Sequence, residues 1–260
     1  MHFTTLGRIL ARSLAAAFLM CPMLSQADTK VFSSVADATL FQASPNNNLG
    51  DGGSIMSGGR PKDLGLNRTR GLLRFDLGSL PANAVITNVS LTLKVVTTPS
   101  PQVNSVFDLR RVLVSWGNEG AGSDRGGGAA AANQVTWNSR FFGGLPWSTP
   151  GGAVGVDFGT GVSAFQSVAG NGSYNFSGAN LLSDVQSWYA NSANNFGWVL
   201  MSESETSSRT VRRFGSHESG SAGAPVLNVQ FTTVPEPGAI GLMALGGMTL
   251  ALACCRRKRR

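Results

Sequence analysis

The 260-residue chain holds two histidines, His2 and His217, and only His217 lies in its central part. A single imidazole excludes multi-histidine metal centres and the usual zinc constellations there. No Gly-x-Ser-x-Gly elbow, phosphate-cradling loop or dinucleotide fingerprint occurs. A serine–histidine–aspartate triad would have to use His217, which stands between Ser216 and Glu218 near an expected strand end. Neighbours on a strand point to opposite faces, so neither is expected to partner it. Asp76, Asp108, Asp157 and Asp184 are the carboxylates a glycosidase or lyase would draw on, and nothing in their spacing pairs them. We therefore expect no catalytic residue and no enzymatic activity.

Three binding chemistries remain. Calcium needs several hard oxygens on a permissive loop, and Asp37, Asn48 and Asp51 offer them beside Gly50, Gly52 and Gly53. The spacing is not that of an EF-hand, and a solvated turn is the plainer reading; no other cofactor is expected. All five tryptophans (Trp116, Trp137, Trp147, Trp188 and Trp198) lie in the central part. Trp147, between Pro146 and Ser148 in a Gly/Pro loop, is expected to be exposed and able to stack on a sugar ring, with a packing plug under the loop as the alternative. Trp188 and Trp198 sit in apolar patterns and are expected in the core. Arg74 and Asp76 fall at i and i+2 on one strand face, which suits a cross-strand polar ladder or, for Arg74, a ligand contact.

The elements that must position these residues are mostly strands. Gly71–Leu77 places Leu73, Phe75 and Leu77 on one face; Val89, Leu91, Leu93 and Val95 do the same further on. Further strands are expected over Val31–Leu40, Phe107–Val114, Val154–Phe158, Gly197–Met201, Val211–Phe214 and Val226–Phe231. Residues 42–70 read as a long loop, and the Gly/Ala-rich stretch 117–133 as a flexible surface insertion. One helix is expected, Ala179–Tyr189, with Leu181, Leu182, Val185 and Trp188 sharing a face and Ser177 or Asn180 as its cap. Many short strands with long connections argue for an all-β, antiparallel β-sandwich of jelly-roll-like form.

The two ends are of another kind. Arg8 and Arg12 precede an apolar run from Leu14 to Leu24 and then Ser25-Gln26-Ala27, the layout of a secretory signal peptide over residues 1–27, cut between Ala27 and Asp28. At the other end Val234-Pro235-Glu236-Pro237 is followed by a charge-free run, Ala239 to Cys255, and then Arg256-Arg257-Lys258-Arg259-Arg260. The run suits a transmembrane helix, and the five cations a membrane stop on the cytoplasmic side. Those ends carry 7 of the 21 Lys and Arg, so residues 28–233 keep 14 basic against 13 acidic side chains. A nearly neutral body gives no electrostatic footprint for nucleic acid. It also has no cysteine, because Cys21, Cys254 and Cys255 all lie in the ends.

The C-terminal arrangement, residues 234–260, resembles the PEP-CTERM sorting signal of Gram-negative bacteria. The resemblance implies processing near Pro235-Glu236-Pro237 by an exosortase, a membrane transpeptidase-like protease; a permanent tail anchor is the alternative. Residues 28–233 resemble the DNRLRE domain family, β-sandwiches similar to carbohydrate-binding modules. The matching pieces, in order, are Arg70–Leu77 with Leu80-Pro81-Ala82, Val89–Leu93, Trp116 with Glu119, and Val135–Asn138. They continue with Asp184–Trp188, Asn195–Leu200, Phe214–Glu218 and Pro225-Val226-Leu227. His217 stands where an Arg is usual, and the Gly/Ala insertion is a second departure.

The expected protein passes the export machinery and signal peptidase, is held in the inner membrane until an exosortase acts, and ends at the cell surface or outside it. There its body is expected to interact with extracellular polysaccharide without cutting it. A polysaccharide hydrolase or lyase, and a purely structural matrix module, are the alternatives.

Overall fold

The computed structural model describes residues 27–60, 67–117, 120 and 126–233. The signal-peptide residues before Ala27, Glu119, the sorting motif and the membrane stop lie outside them. Twelve strands and one α-helix follow in chain order. They are β1 (Ala27–Phe41), β2 (Asn47–Leu49), β3 (Ser54–Gly59), β4 (Arg68–Phe75), β5 (Ala84–Thr97), β6 (Ser105–Arg111), β7 (Gly128–Ala129), β8 (Ala164–Val168), β9 (Gly172–Ser177), α1 (Ala179–Ala190), β10 (Trp198–Ser202), β11 (Arg212–Gly215) and β12 (Val226–Thr233). The fold is thus mostly β with one short helix, as the sequence pattern requires. Among the described residues no helix is long and apolar enough to cross a membrane.

All strand pairs are antiparallel. One sheet runs from β9 through β5 to β12 and β11, the other from β2 through β1, β4, β10 and β6 to β8. Two strands belong to both sheets and close them into a ring, β1–β12–β5–β11–β3–β4 and back to β1. β1 pairs with β12 over residues 27–33 and with β4 over 34–41, with a bulge at Val35 just inside the second pairing. A bulge bends its strand, which is how β1 turns from one sheet into the other. β3 makes its turn at Gly58: Ser54–Ser57 pair with β11, whereas Gly58 and Gly59 pair with β4. Gly58 has φ 112°, and a Cβ there would lie 2.8 Å from the Thr210 carbonyl oxygen, so only glycine fits the corner.

The ring encloses the main core. Phe32, Leu73, Phe75, Leu91, Leu93, Phe107, Phe214, Leu227 and Val229 fill it, and α1 adds Leu181, Val185 and Trp188. Trp188 and Trp198 meet edge to face at 4.5 Å. Gly178 takes the cap position of α1 with no side-chain capping bond, and Asn180 donates instead to the Val162 carbonyl at 2.9 Å. Tyr189 at the other end donates to the Pro81 carbonyl and accepts from the Ala84 N–H at 3.1 Å.

A second core lies on the outer face of the β1–β4–β10 sheet. Ala36, Ala38, Leu40, Leu72 and Val199 on that face meet Val112, Trp116, Val135, Trp137, Trp147 and Phe158 from the segment between β6 and β8. The sheet is therefore buried on both sides, and Leu72 and Leu73, adjacent in sequence, enter different cores. This explains why β10 reads as an unbroken apolar run rather than an alternation. Val154–Phe158, expected as a strand, makes only isolated bridges and a turn. Conversely, β2 and β3 arise within the expected 42–70 loop, β7 within the expected flexible insertion, and β8 and β9 were not read from the sequence at all.

Candidate functional site

Arg74 and Asp76 stand at the open end of β4, where a groove of about 430 Å³ is lined also by Val35, Trp188, Tyr189, Ser192 and Asn195. The groove exists because β1 bulges at Val35 and because α1 gives way to a 3₁₀ turn at Ser192–Asn194. Arg74 lies with its guanidinium 4.9 Å from the centre of the Trp116 ring, within cation–π range. Trp116 is fixed in turn by a 2.7 Å bond from its indole N–H to the Phe196 carbonyl. Arg74 has no ion pair among the described residues, in contrast to Arg68, Arg70, Arg110 and Arg111. Asp76 accepts the Gly78 N–H at 2.8 Å and is exposed. The expected polar ladder gives way to a cation on an aromatic ring beside a turn-bound carboxylate.

Two further polar atoms belong to groove residues. The buried Trp188 indole N–H and the Asn195 side-chain oxygen have no hydrogen-bond partner among the described residues, although Asn195 donates to the Phe75 carbonyl at 2.7 Å. Both atoms are themselves shielded from solvent, so what the groove offers an approaching ligand is the positioned Arg74 guanidinium beside the exposed Asp76 carboxylate.

The other expected binding residues are placed differently. Trp147 is not exposed: it is 3 % accessible, packs on Phe158 at 5.5 Å and donates its indole N–H to the Thr136 carbonyl at 2.8 Å. The loop that carries it is itself the packing layer of the second core, so the ring plugs that layer and offers no platform. The residues of the expected calcium trio meet different surroundings. Asn48 gives its amide to the Val135 carbonyl at 2.5 Å, Asp51 is exposed, and Asp37 is fully buried beside His217.

His217 corrects a second expectation. It sits in a 3₁₀ turn, His217–Ser219, not on a strand, so its neighbour Glu218 reaches it: Nε2 to Oε1 is 3.0 Å. Its Nδ1 lies 3.3 Å from Asp37 Oδ2, and its backbone N–H donates to the same oxygen at 2.8 Å. Strand geometry concealed this cluster; the Ser-x-x-Ser capping pattern at Ser216–Ser219 was the signal that could have revealed it.

The three remaining carboxylates of the expected set, Asp108, Asp157 and Asp184, hold structure. Asp108 pairs with Arg110 at 2.9 Å, and Asp184 accepts from Ser163 and from the Trp198 indole at 2.5 and 2.9 Å. Asp157 accepts from Ala153 N–H at 2.8 Å and from both donors of Ser148. Arg212, fully buried, donates to backbone carbonyls that include Ala169 at 2.7 Å and Val103 at 2.9 Å. Burial lowers its pKa, with Tyr174 acting in the opposite sense.

Ala27 and Asp28 begin β1, facing Thr232 and Phe231 of β12. The body thus starts and finishes on adjacent strands. A family model described as the PEP-CTERM protein-sorting motif matches residues 233–259, from the last residue of β12 onward. No curated protein matches the chain. The match implies an exosortase as processing partner and is consistent with export, a membrane-anchored intermediate and a cell-surface destination.

Proposed function

We propose that the protein is a non-catalytic, exported surface or matrix protein whose body interacts with extracellular polysaccharide after its tail is removed. On this reading the chain is cut after Ala27, anchored through residues 234–260 and released near Pro235-Glu236-Pro237. The body acts as a jelly-roll-like module of the DNRLRE kind, similar to carbohydrate-binding modules. The sorting motif supports an extracellular life. The observation that carries the binding proposal is the groove beside β4, which Arg74, without an ion pair, and the exposed Asp76 both line. A sugar residue offers hydroxyl acceptors for the Arg74 guanidinium and hydroxyl donors for Asp76.

The test is binding of the full chain to a panel of matrix and cell-wall polysaccharides, with Arg74→Gln as control. We expect binding that Arg74→Gln weakens about tenfold, the loss of one charged hydrogen bond, without change in melting temperature. Binding to none of them would leave a purely structural module. Release of reducing or unsaturated ends from a bound glycan would establish a hydrolase or lyase instead. For the ends, mass spectrometry of protein recovered outside cells should find Asp28 first and no peptide from Ala239 onward. Intact Arg260 in that fraction would overturn the sorting part alone.

A further inference from the structure

We propose that Asp37, His217 and Glu218 bind a divalent first-row transition-metal ion of the zinc type, independently of the groove. One ligand atom from each of the three side chains lies within 4.8 Å of the others. The two closest nitrogen–oxygen separations are 3.3 Å (Asp37 Oδ2 to Nδ1) and 3.0 Å (Nε2 to Glu218 Oε1). Ligand atoms around a tetrahedral zinc at ~2.0–2.1 Å stand roughly 3.3–3.4 Å apart. Both contacts are close to that spacing but use opposite ring nitrogens, so closing on one ion requires the partly exposed Glu218 to swing from Nε2 toward the Asp37 side of the ring. A metal takes one ring nitrogen, replacing that nitrogen's contact with a carboxylate.

The donor set selects the ion. Two carboxylates with one imidazole suit zinc and its neighbours, whereas calcium and magnesium favour all-oxygen shells. Asp37 is fully buried, while the His217 and Glu218 side chains keep 29 % and 25 % exposure, so the cluster opens to solvent on one side. That opening admits the ion and a water as fourth ligand.

The surroundings hold the ligands in place, as working metal sites require. Ser34 Oγ at 3.4 Å and the His217 N–H at 2.8 Å both point at Asp37 Oδ2. The turn bearing His217 and Glu218 is tied down by Ser219 Oγ, which accepts the Ser216 N–H at 3.0 Å and donates to the Gly53 carbonyl at 2.5 Å. Ser216 Oγ donates to the Gly52 carbonyl at 2.6 Å. A bound ion would cross-link β1 to the β11–β12 connection in a body that has no cysteine to do so.

The test is thermal unfolding of the metal-free full chain with zinc chloride, calcium chloride or magnesium chloride, alongside Glu218→Gln and His217→Gln. Zinc at ~100 times its Kd should raise the melting temperature by roughly 5–10 °C, with no comparable effect of calcium or magnesium. Glu218→Gln, at a partly exposed position, keeps a folded reference, and both variants should lose the zinc effect. Cobalt substitution should give a spectrum without thiolate bands. An unchanged melting temperature with zinc overturns the site. So does a zinc effect that persists in both variants, which would trace to His2 or to Cys21, Cys254 and Cys255.

Discussion

The two cores of this protein bury the same kinds of side chain by different means. Inside the ring, Phe75, Phe107, Phe214 and Trp198 arrive on strands whose backbone groups are satisfied by their neighbours in the sheet. On the outer face, Trp116, Trp137, Trp147 and Phe158 arrive on a segment with little regular structure. Its polar groups are satisfied one at a time, by indole N–H bonds to carbonyls, by Asp157 and by Arg70. Arg70 shows the pattern best: it pairs with Glu205 at 2.6 Å, donates to the Gly151 and Gly152 carbonyls at 2.7 and 2.9 Å, and lies 5.3 Å from the Trp137 ring centre. Burial thus needs no periodicity, provided every backbone polar group finds a partner. The outer layer depends on a few specific residues where the inner core depends on a repeated pattern.

The comparison can be broken most directly with tryptophan. Trp198→Ala should cost about 4–5 kcal/mol and unfold most of the body, while Trp147→Ala should cost about 3 kcal/mol. Hydrogen exchange should then rise over residues 135–160 of the Trp147 variant, with β5 and β12 still protected. Equal loss of protection in both regions would make the two cores one cooperative unit. Next in size, Arg70→Met should cost about 2–3 kcal/mol because it leaves the half-buried Glu205 carboxylate with only the 3.5 Å contact to Arg68 and removes the donor to the Gly151 and Gly152 carbonyls. Adding Glu205→Leu should recover a good part of this in a double-mutant cycle; strict additivity would mean the pair does not organise the layer. At the corner the two sheets share, Gly58→Ala should cost about 2 kcal/mol or more from strain and the Thr210 contact. A neutral result by chemical denaturation would show that β3 turns without glycine. The smallest effect belongs to Arg74→Gln, within about 0.5 kcal/mol, since it tests binding and not packing.

Much of the inner core was legible. The alternation at Val89–Val95 and Leu227–Phe231, and the helix periodicity at Leu181, Val185 and Trp188, all return in the structure as core contacts. The outer layer was not. Trp147 read as exposed because Gly and Pro surround it, yet Gly151, with φ 88°, is what lets the chain press against Trp137: a Cβ there would sit 2.5 Å from the ring. The Gly/Ala stretch looked too weak for structure, yet Gly128 and Ala129 pair with β2 once that strand is present to receive them. His217 looked isolated because a strand was assumed where a 3₁₀ turn forms.

The sequence by itself determined the mostly β class and carries the sorting motif. Strand and helix periods are local properties of a few consecutive side chains, and the sorting motif is a linear order of proline, apolar and basic residues that needs no folded partner. Only the tertiary structure decided which loop is a packing layer, that β1 and β3 close two sheets into one ring, and which polar residues meet. Asp37 and His217 are 180 positions apart, and Arg70 and Glu205 are 135 apart. Their encounters depend on strand register and on corner geometry at Val35 and Gly58, quantities that no local pattern encodes.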